Sequence, residues 1–278
     1  MDEQPSTAYE QPAPIGDGYP SAQPDRDLFG KAPRKHTDWS HRRGEPRVLT
    51  LLWMMYLMAA VVLMFSSMAT AYSISPSITR PAARTMLVMV VLGLCVLWPM
   101  VRFSQRPDYL RTHGHTHFAF RDGFVLFVPM QAVIWPQALA VLADWPILVI
   151  AGISVLCLGW TLIIAGVVAL GTSSIERNNG SGFMRVLWML ILMLVVFGAP
   201  IVGGLGSFGY VGVEQARVGW LLSPITGVLE IVRDRAQLGT STRLFSEHWR
   251  MMIALICVGT ALLLIARASE VAHARYRA

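Results

Sequence analysis

From Val48 to Tyr72 the chain carries no charged side chain, and Arg47 stands directly before the run. A helix needs about 20 mainly apolar residues to cross the roughly 30 Å hydrocarbon layer. Inside that layer every backbone N–H and C=O must be satisfied within the protein, which leaves helices and closed barrels. The run is continuous rather than alternating, so it reads as a helix. Further apolar runs follow: Met86 to Val101, extended by Thr85 and Phe103; Gly123 to Ala143, with Pro129 and Pro136 expected to kink it; and Ile147 to Leu170 after the turn Asp144-Trp145-Pro146. The last two are Val186 to Gly204, with Pro200 near its end, and Met251 to Ala266. Composition agrees, with 54% hydrophobic and only 14% charged residues, against about 25% charged in a typical soluble domain. An ordinary cytosolic enzyme, a disulfide scaffold and a wholly disordered chain are excluded together. The expectation is an all-α integral membrane protein with six transmembrane helices, at 48–72, 85–103, 123–143, 147–170, 186–204 and 251–266.

A seventh stretch, Val218 to Val232, is too short to cross and contains Pro224. Extending it upstream brings in Arg217 and Glu214, each costing about 2.5–3.5 kcal/mol at a helix centre. It therefore reads as a re-entrant or interfacial helix before the last span. Residues 1–46 differ from everything after them. They are Pro-rich, acidic first (Asp2, Glu3, Glu10, Asp17, Asp25) and then basic (Lys31, Arg34, Lys35, Arg42, Arg43). Such a segment cannot bury enough surface to offset its ordering entropy, so a disordered cytoplasmic tail is expected. No apolar stretch near Met1 suggests a cleavable signal peptide.

Lys and Arg in short loops set orientation. The N-terminal flank, the loop with Arg102, Arg106, Arg111 and Arg121, the pair Arg177 and Arg185, and the end with Arg267, Arg275 and Arg277 are every second segment between six spans and so fall on one side. Both termini are then cytoplasmic, in a plasma membrane such as a bacterial inner membrane. The net charge of +6 reflects orientation and anionic lipid rather than nucleic acid.

The motifs are mostly structural. His113-Gly114-His115-Thr116-His117 could present His113 and His117 on one helical face, but no third ligand is in register, so a polar loop is expected and no metal site. Gly204-Leu205-Gly206-Ser207-Phe208-Gly209 has the spacing G-x-G-x-x-G but follows a membrane span rather than a strand, and reads as unwinding glycines. Asn179-Gly180-Ser181 reads as a turn. Cys95, Cys157 and Cys257 lie in apolar runs and read as small hydrophobes. The phosphate-loop, zinc-protease and nucleophile-elbow motifs are missing, and the spans carry ionisable groups only at their ends, which argues against an ion relay. No catalytic residue and no cofactor is expected. Gly152, Ser154, Gly159, Thr161 and Gly166 permit close helix approach, within the chain or between two copies.

Trp220-Leu221-Leu222-Ser223-Pro224-Ile225-Thr226-Gly227-Val228-Leu229-Glu230, followed by Arg233, a polar stretch, a last span and an Arg-rich end, resembles the permease subunits of type-2 ABC transporters. In that family a re-entrant element lies between the last two of six helices. It reads as Asn or Ser, Pro, Leu or Ile, Thr, two variable positions, Val or Leu, then Glu, and ends E-x-x-R. The resemblance covers 186–278. It implies that Ser223, Pro224, Thr226, Glu230 and Arg233 form the re-entrant motif. It further implies that Pro107, Asp108, Tyr109 and Arg111 form a cytoplasmic coupling loop docking on a separate ATP-binding subunit. The function implied is ATP-driven export by a homodimer or a paired permease. Two other readings stay open: a non-transport membrane scaffold holding a partner complex, and a membrane-embedded enzyme acting on lipid through His113, His115 and His117.

Overall fold

The computed structural model describes residues 46–69, 75–104, 114–178, 181–204, 217–234 and 242–277. The tail at 1–45 lies outside them, as do the glycines after Gly204, Asn179-Gly180, His113 and the whole group Pro107, Asp108, Tyr109 and Arg111. Every regular element among the described residues is a helix.

Helix α1, Pro46–Met68, is apolar on all sides. Leu49, Trp53, Leu57, Ala60, Met64 and Met68 are buried. They recur at three- and four-residue steps and so form one stripe. Leu51, Met55, Met58, Val62 and Phe65 on the other side are exposed. An apolar face of that size is costly in water and matches hydrocarbon. The buried stripe is fixed by polar tips: the Trp53 indole donates to the Leu126 carbonyl at 2.8 Å and the Tyr56 hydroxyl to the Met89 carbonyl at 2.6 Å.

Helix α2, Pro76–Leu92, runs through a π-turn, Gly93–Leu97, into α3, Trp98–Ser104. The widened turn directly precedes Pro99, which brings no N–H and whose ring would press on the carbonyl of Cys95 in a regular helix. Gly93 lies under α1, where a Cβ would stand 2.3 Å from the Tyr56 ring. Helix α4, His115–Ile134, accommodates Pro129 and tightens at Pro136 into a 3-10 turn, Trp135–Ala138. Residues 139–143, expected to continue the third span, form a turn instead, because Pro136 ends the regular hydrogen-bond ladder. Asp144 closes this connection at φ 51°, a left-handed conformation that Asp tolerates better than most residues.

Helix α5, Ile147–Arg177, is the centre of the bundle and is buried along most of its length. Helix α8, Ser246–Arg277, lies along it. The seam is made by glycines. A Cβ on Gly166 would meet the Leu262 Cβ at 2.6 Å, and one on Gly259 would meet the Leu162 Cβ at 2.6 Å and the Ile163 backbone nitrogen at 2.8 Å. Gly159 abuts Leu255, and Gly152 abuts Leu244. Gly152, Gly159 and Gly166 of the fourth span are therefore met from within the chain. Helix α6, Gly182–Gly204, buries Leu192 and Val196 and exposes Phe183, Leu190 and Leu194. A 3-10 turn, Val218–Leu222, leads into the short α7, Pro224–Ile231.

Among the described residues five helices are long and apolar enough to cross a membrane: Val48–Met68, Ile78–Ser104, His115–Ala138, Ile147–Arg177 and Ser246–His273. The apolar part of α6, Gly182–Gly198, is shorter. Several helices outrun the expected spans. Helix α2 takes in Arg80 and Arg84, α4 begins eight residues before Gly123, and α5 and α8 continue past Leu170 and Ala266. Hydropathy marks where lipid contact ends, and the helical hydrogen-bond ladder continues past that boundary.

Candidate functional site

Eight residues give α7 a length of about 12 Å, and an element that short depends on its neighbours for stability. Pro224 occupies its first turn, where a missing N–H costs nothing. Ser223, at the N-cap position, turns its hydroxyl outward and donates to the Val196 carbonyl of α6 at 2.7 Å. Thr226 donates to the Trp220 carbonyl at 2.5 Å, folding the preceding 3-10 turn onto α7. Gly227 packs on α5, where a Cβ would stand 3.1 Å from Leu156.

Glu230 is fully buried. Its Oε1 accepts the Arg217 backbone N–H at 3.2 Å, and Oε2 lies 3.4 Å from Arg233 Nε. His248 of α8, also fully buried, faces Oε1 at 3.6 Å. The histidine tautomer follows from its other nitrogen: the Phe245 N–H donates to Nδ1 at 3.1 Å, so a neutral ring carries its proton on Nε2, towards the carboxylate. On the other side, Arg84 of α2 donates to the Val232 carbonyl from Nη2 at 2.8 Å and from Nε at 3.2 Å, capping the end of α7 with a cation where the macrodipole is negative. Asp234 pairs with Arg84 at 2.5 Å and Arg80 at 3.1 Å. Arg80 also reaches the Ala143 and Asp144 carbonyls, at 2.9 and 3.3 Å. Hydrogen bonds and ion pairs thus tie α7 and its flanks to α2 and α6, and Glu230 faces His248 of α8.

The five motif residues Ser223, Pro224, Thr226, Glu230 and Arg233 are brought together, with Glu230 and Arg233 meeting one helical turn apart. His248, Arg84, Asp234 and Arg217 were not among the expected site residues. Arg80 and Arg84 at i, i+4 carried a signal, since both lie on one face of α2; nothing near His248 in the sequence marks it.

At the opposite end of α2–α3, Arg102 pairs with Asp122 of α4, their side chains 2% and 0% exposed. The Arg102 guanidinium also lies 4.4 Å from the centre of the Phe118 ring, with Arg121 5.4 Å from the same ring. A buried pair offsets its desolvation only while both partners remain, and loss of one strands a charge. Arg102 counted as a loop charge in the sequence.

Next to it, the start of α4 is fastened to the ends of α5 and α8. His115 Nε2 lies 2.6 Å from Glu176 Oε2, and the Thr116 N–H donates to Glu270 Oε1 at 2.7 Å. Glu270 pairs with Arg267 at 3.1 Å. His115 is buried and His117 is exposed, so the two described histidines of the triplet do not converge. Among the described residues no group of three or more His, Cys, Asp or Glu is arranged to hold a metal ion. No family model, curated protein or solved structure matches this chain.

Proposed function

We propose that this chain is the membrane-spanning subunit of a type-2 ABC exporter, with the ATPase on a separate chain and two permease copies forming the pathway. The observation that carries the reading is the construction around α7. Ser223 and Glu230 of the resembling motif set a short helix against α6 and beside His248 of α8, and Arg84 of α2, outside the motif, caps its end. In this reading α6 is the fifth of six crossings and α8 the sixth, α7 dips into the outer leaflet between them and turns back, and both termini are cytoplasmic. The Arg102–Asp122 pair and the His115–Glu176 contact then lie at the cytoplasmic end, beside the connection expected to dock on the ATPase and near anionic headgroups.

The mechanism is mechanical. ATP-driven closure of the partner pushes on the connection between α3 and α4, and the packed helices rock between inward- and outward-facing states. The chain itself contributes no bond-making chemistry. The test is co-purification from native membrane followed by reconstitution. A phosphate-loop ATPase retained by the tagged chain, with vanadate-sensitive ATP hydrolysis in vesicles, is the expected result. A chain that retains other partners and never an ATPase is a scaffold, and the transport reading ends there. Topology gives a second check: labels at Arg235→Cys and Arg277→Cys are expected to react from opposite faces.

A further inference from the structure

We propose that the outer face of α4 carries a site for one anionic phospholipid, with its phosphate held by Arg121 and an acyl chain lying on Phe124 and Val128. The site rests on the membrane reading of the helices and holds whether or not the chain transports anything.

Charge at this end of the bundle does not balance. Arg102 and Arg121 stand against one phenyl ring, that of Phe118, at 4.4 and 5.4 Å from its centre. One carboxylate, Asp122, lies beside them, and Arg102 takes it. The other carboxylates described at this end have partners of their own. Glu176 faces His115 at 2.6 Å, and Glu270 accepts the Thr116 N–H and pairs with Arg267. Arg121 is left over. Its Nε is buried, and among the described residues no acceptor reaches it. An arginine, unlike a lysine, does not escape such a place by losing its proton. An anion brought from outside the chain supplies the missing compensation.

Depth selects which anion. Arg121 stands two residues before the apolar run that begins at Gly123, about 3 Å along the helix axis. Its guanidinium is therefore at the edge of the hydrocarbon, next to the layer that holds the headgroup phosphates. The same face continues inward as an apolar lane. Positions 121, 124 and 128 recur at three- and four-residue steps, and Phe124 and Val128 are 61% and 48% exposed. Phe118 and Asp122, by contrast, are buried. A free phosphate would satisfy the guanidinium but gain nothing from Phe124 and Val128. A phospholipid meets both at once. The planar guanidinium fork suits two phosphate oxygens, and an anionic headgroup keeps the net negative charge that a choline would cancel.

The experiment is native mass spectrometry of the full chain in detergent, titrated separately with phosphatidylglycerol and phosphatidylcholine of identical acyl chains. The parent is expected to retain one phosphatidylglycerol molecule in preference to phosphatidylcholine. Arg121→Gln should weaken phosphatidylglycerol binding by about tenfold, as for loss of one charge-assisted contact, and leave phosphatidylcholine binding unchanged. The substitution strands no partner, and helical circular dichroism and size exclusion confirm that the variant is folded. Arg121→Lys keeps the charge without the fork and should fall between the two. Arg275→Gln removes the same charge from an exposed position near the end of α8 and should bind as the parent does. Millimolar inorganic phosphate should not displace the lipid. The proposal is overturned if phosphatidylglycerol is not preferred, if Arg121→Gln binds it as the parent does, or if Arg275→Gln loses as much. Displacement by inorganic phosphate would make this a free-anion site and overturn it as well. So would an acidic protein that co-purifies with the parent in place of lipid and is lost with Arg121→Gln.

Discussion

The α5–α8 seam and the seating of α7 hold helices together by opposite means. Along the seam Gly159, Gly166 and Gly259 let the helices approach until side-chain stems meet backbone. Around α7 the attachments are directional: Ser223 to α6, Glu230 towards His248 of α8, Arg84 to the Val232 carbonyl. Between helices in lipid, apolar burial supplies little drive because lipid tails are as apolar as leucine. Two long helices can accumulate many close contacts in compensation. An eight-residue helix cannot, and it relies on hydrogen bonds and ion pairs. The first arrangement is spread along two helices, whereas the second rests on a few single contacts.

The contrast can be broken experimentally. The largest effect is expected where a polar tie is most deeply buried. Asp122→Leu should destabilise the protein by about 3–5 kcal/mol through the stranded Arg102, and the double variant Arg102→Met/Asp122→Leu should recover most of it, as read by denaturant titration of helical circular dichroism in detergent. No recovery would mean that the pair is held by more than charge compensation. Next comes the seam: Gly259→Leu should cost about 1–3 kcal/mol by overpacking and broaden the size-exclusion profile, while Gly182→Leu, where a Cβ meets nothing within 4 Å, should be silent. Arg84→Met should cost about 1–2 kcal/mol and raise proteolysis between α7 and α8 while leaving the α5–α8 seam protected from hydrogen exchange. Ser223→Ala is the mildest, at about 1 kcal/mol for one hydrogen bond to α6. A seam that loosens together with α7 in either of these last two variants would erase the distinction.

The two regions were unequally legible in the sequence. The glycines of α5 announced a close approach, but composition alone left open whether a neighbouring helix or a second copy would fill it; Leu255 and Leu262 of α8 do. For α7, Pro224 and its apolar neighbours marked a short interrupted element, and Glu230 and Arg233 stood at helical spacing. His248 did not stand out, because its role depends on α8 starting at Ser246 and lying beside α7. Arg102 read as a loop charge, since hydropathy scores each position by itself, whereas burial of a charge depends on a partner arriving from another helix, here Asp122. The histidine triplet was divided for a similar reason: once α4 begins at His115, positions 115 and 117 point to different sides.

The amino-acid sequence by itself determined that this is a bundle of long apolar helices. The reason is local: an uncharged run of that length leaves its backbone no way to be satisfied in hydrocarbon except along its own axis. It also determined, through Pro136 and Pro224, where regular helix must give way. The tertiary structure decided which faces meet. It filled the glycine seam with α8, buried Arg102 against Asp122, set His115 on Glu176, and brought His248 to Glu230. Those outcomes join residues far apart in the chain, and only the packing of one helix on another sets the distances between them.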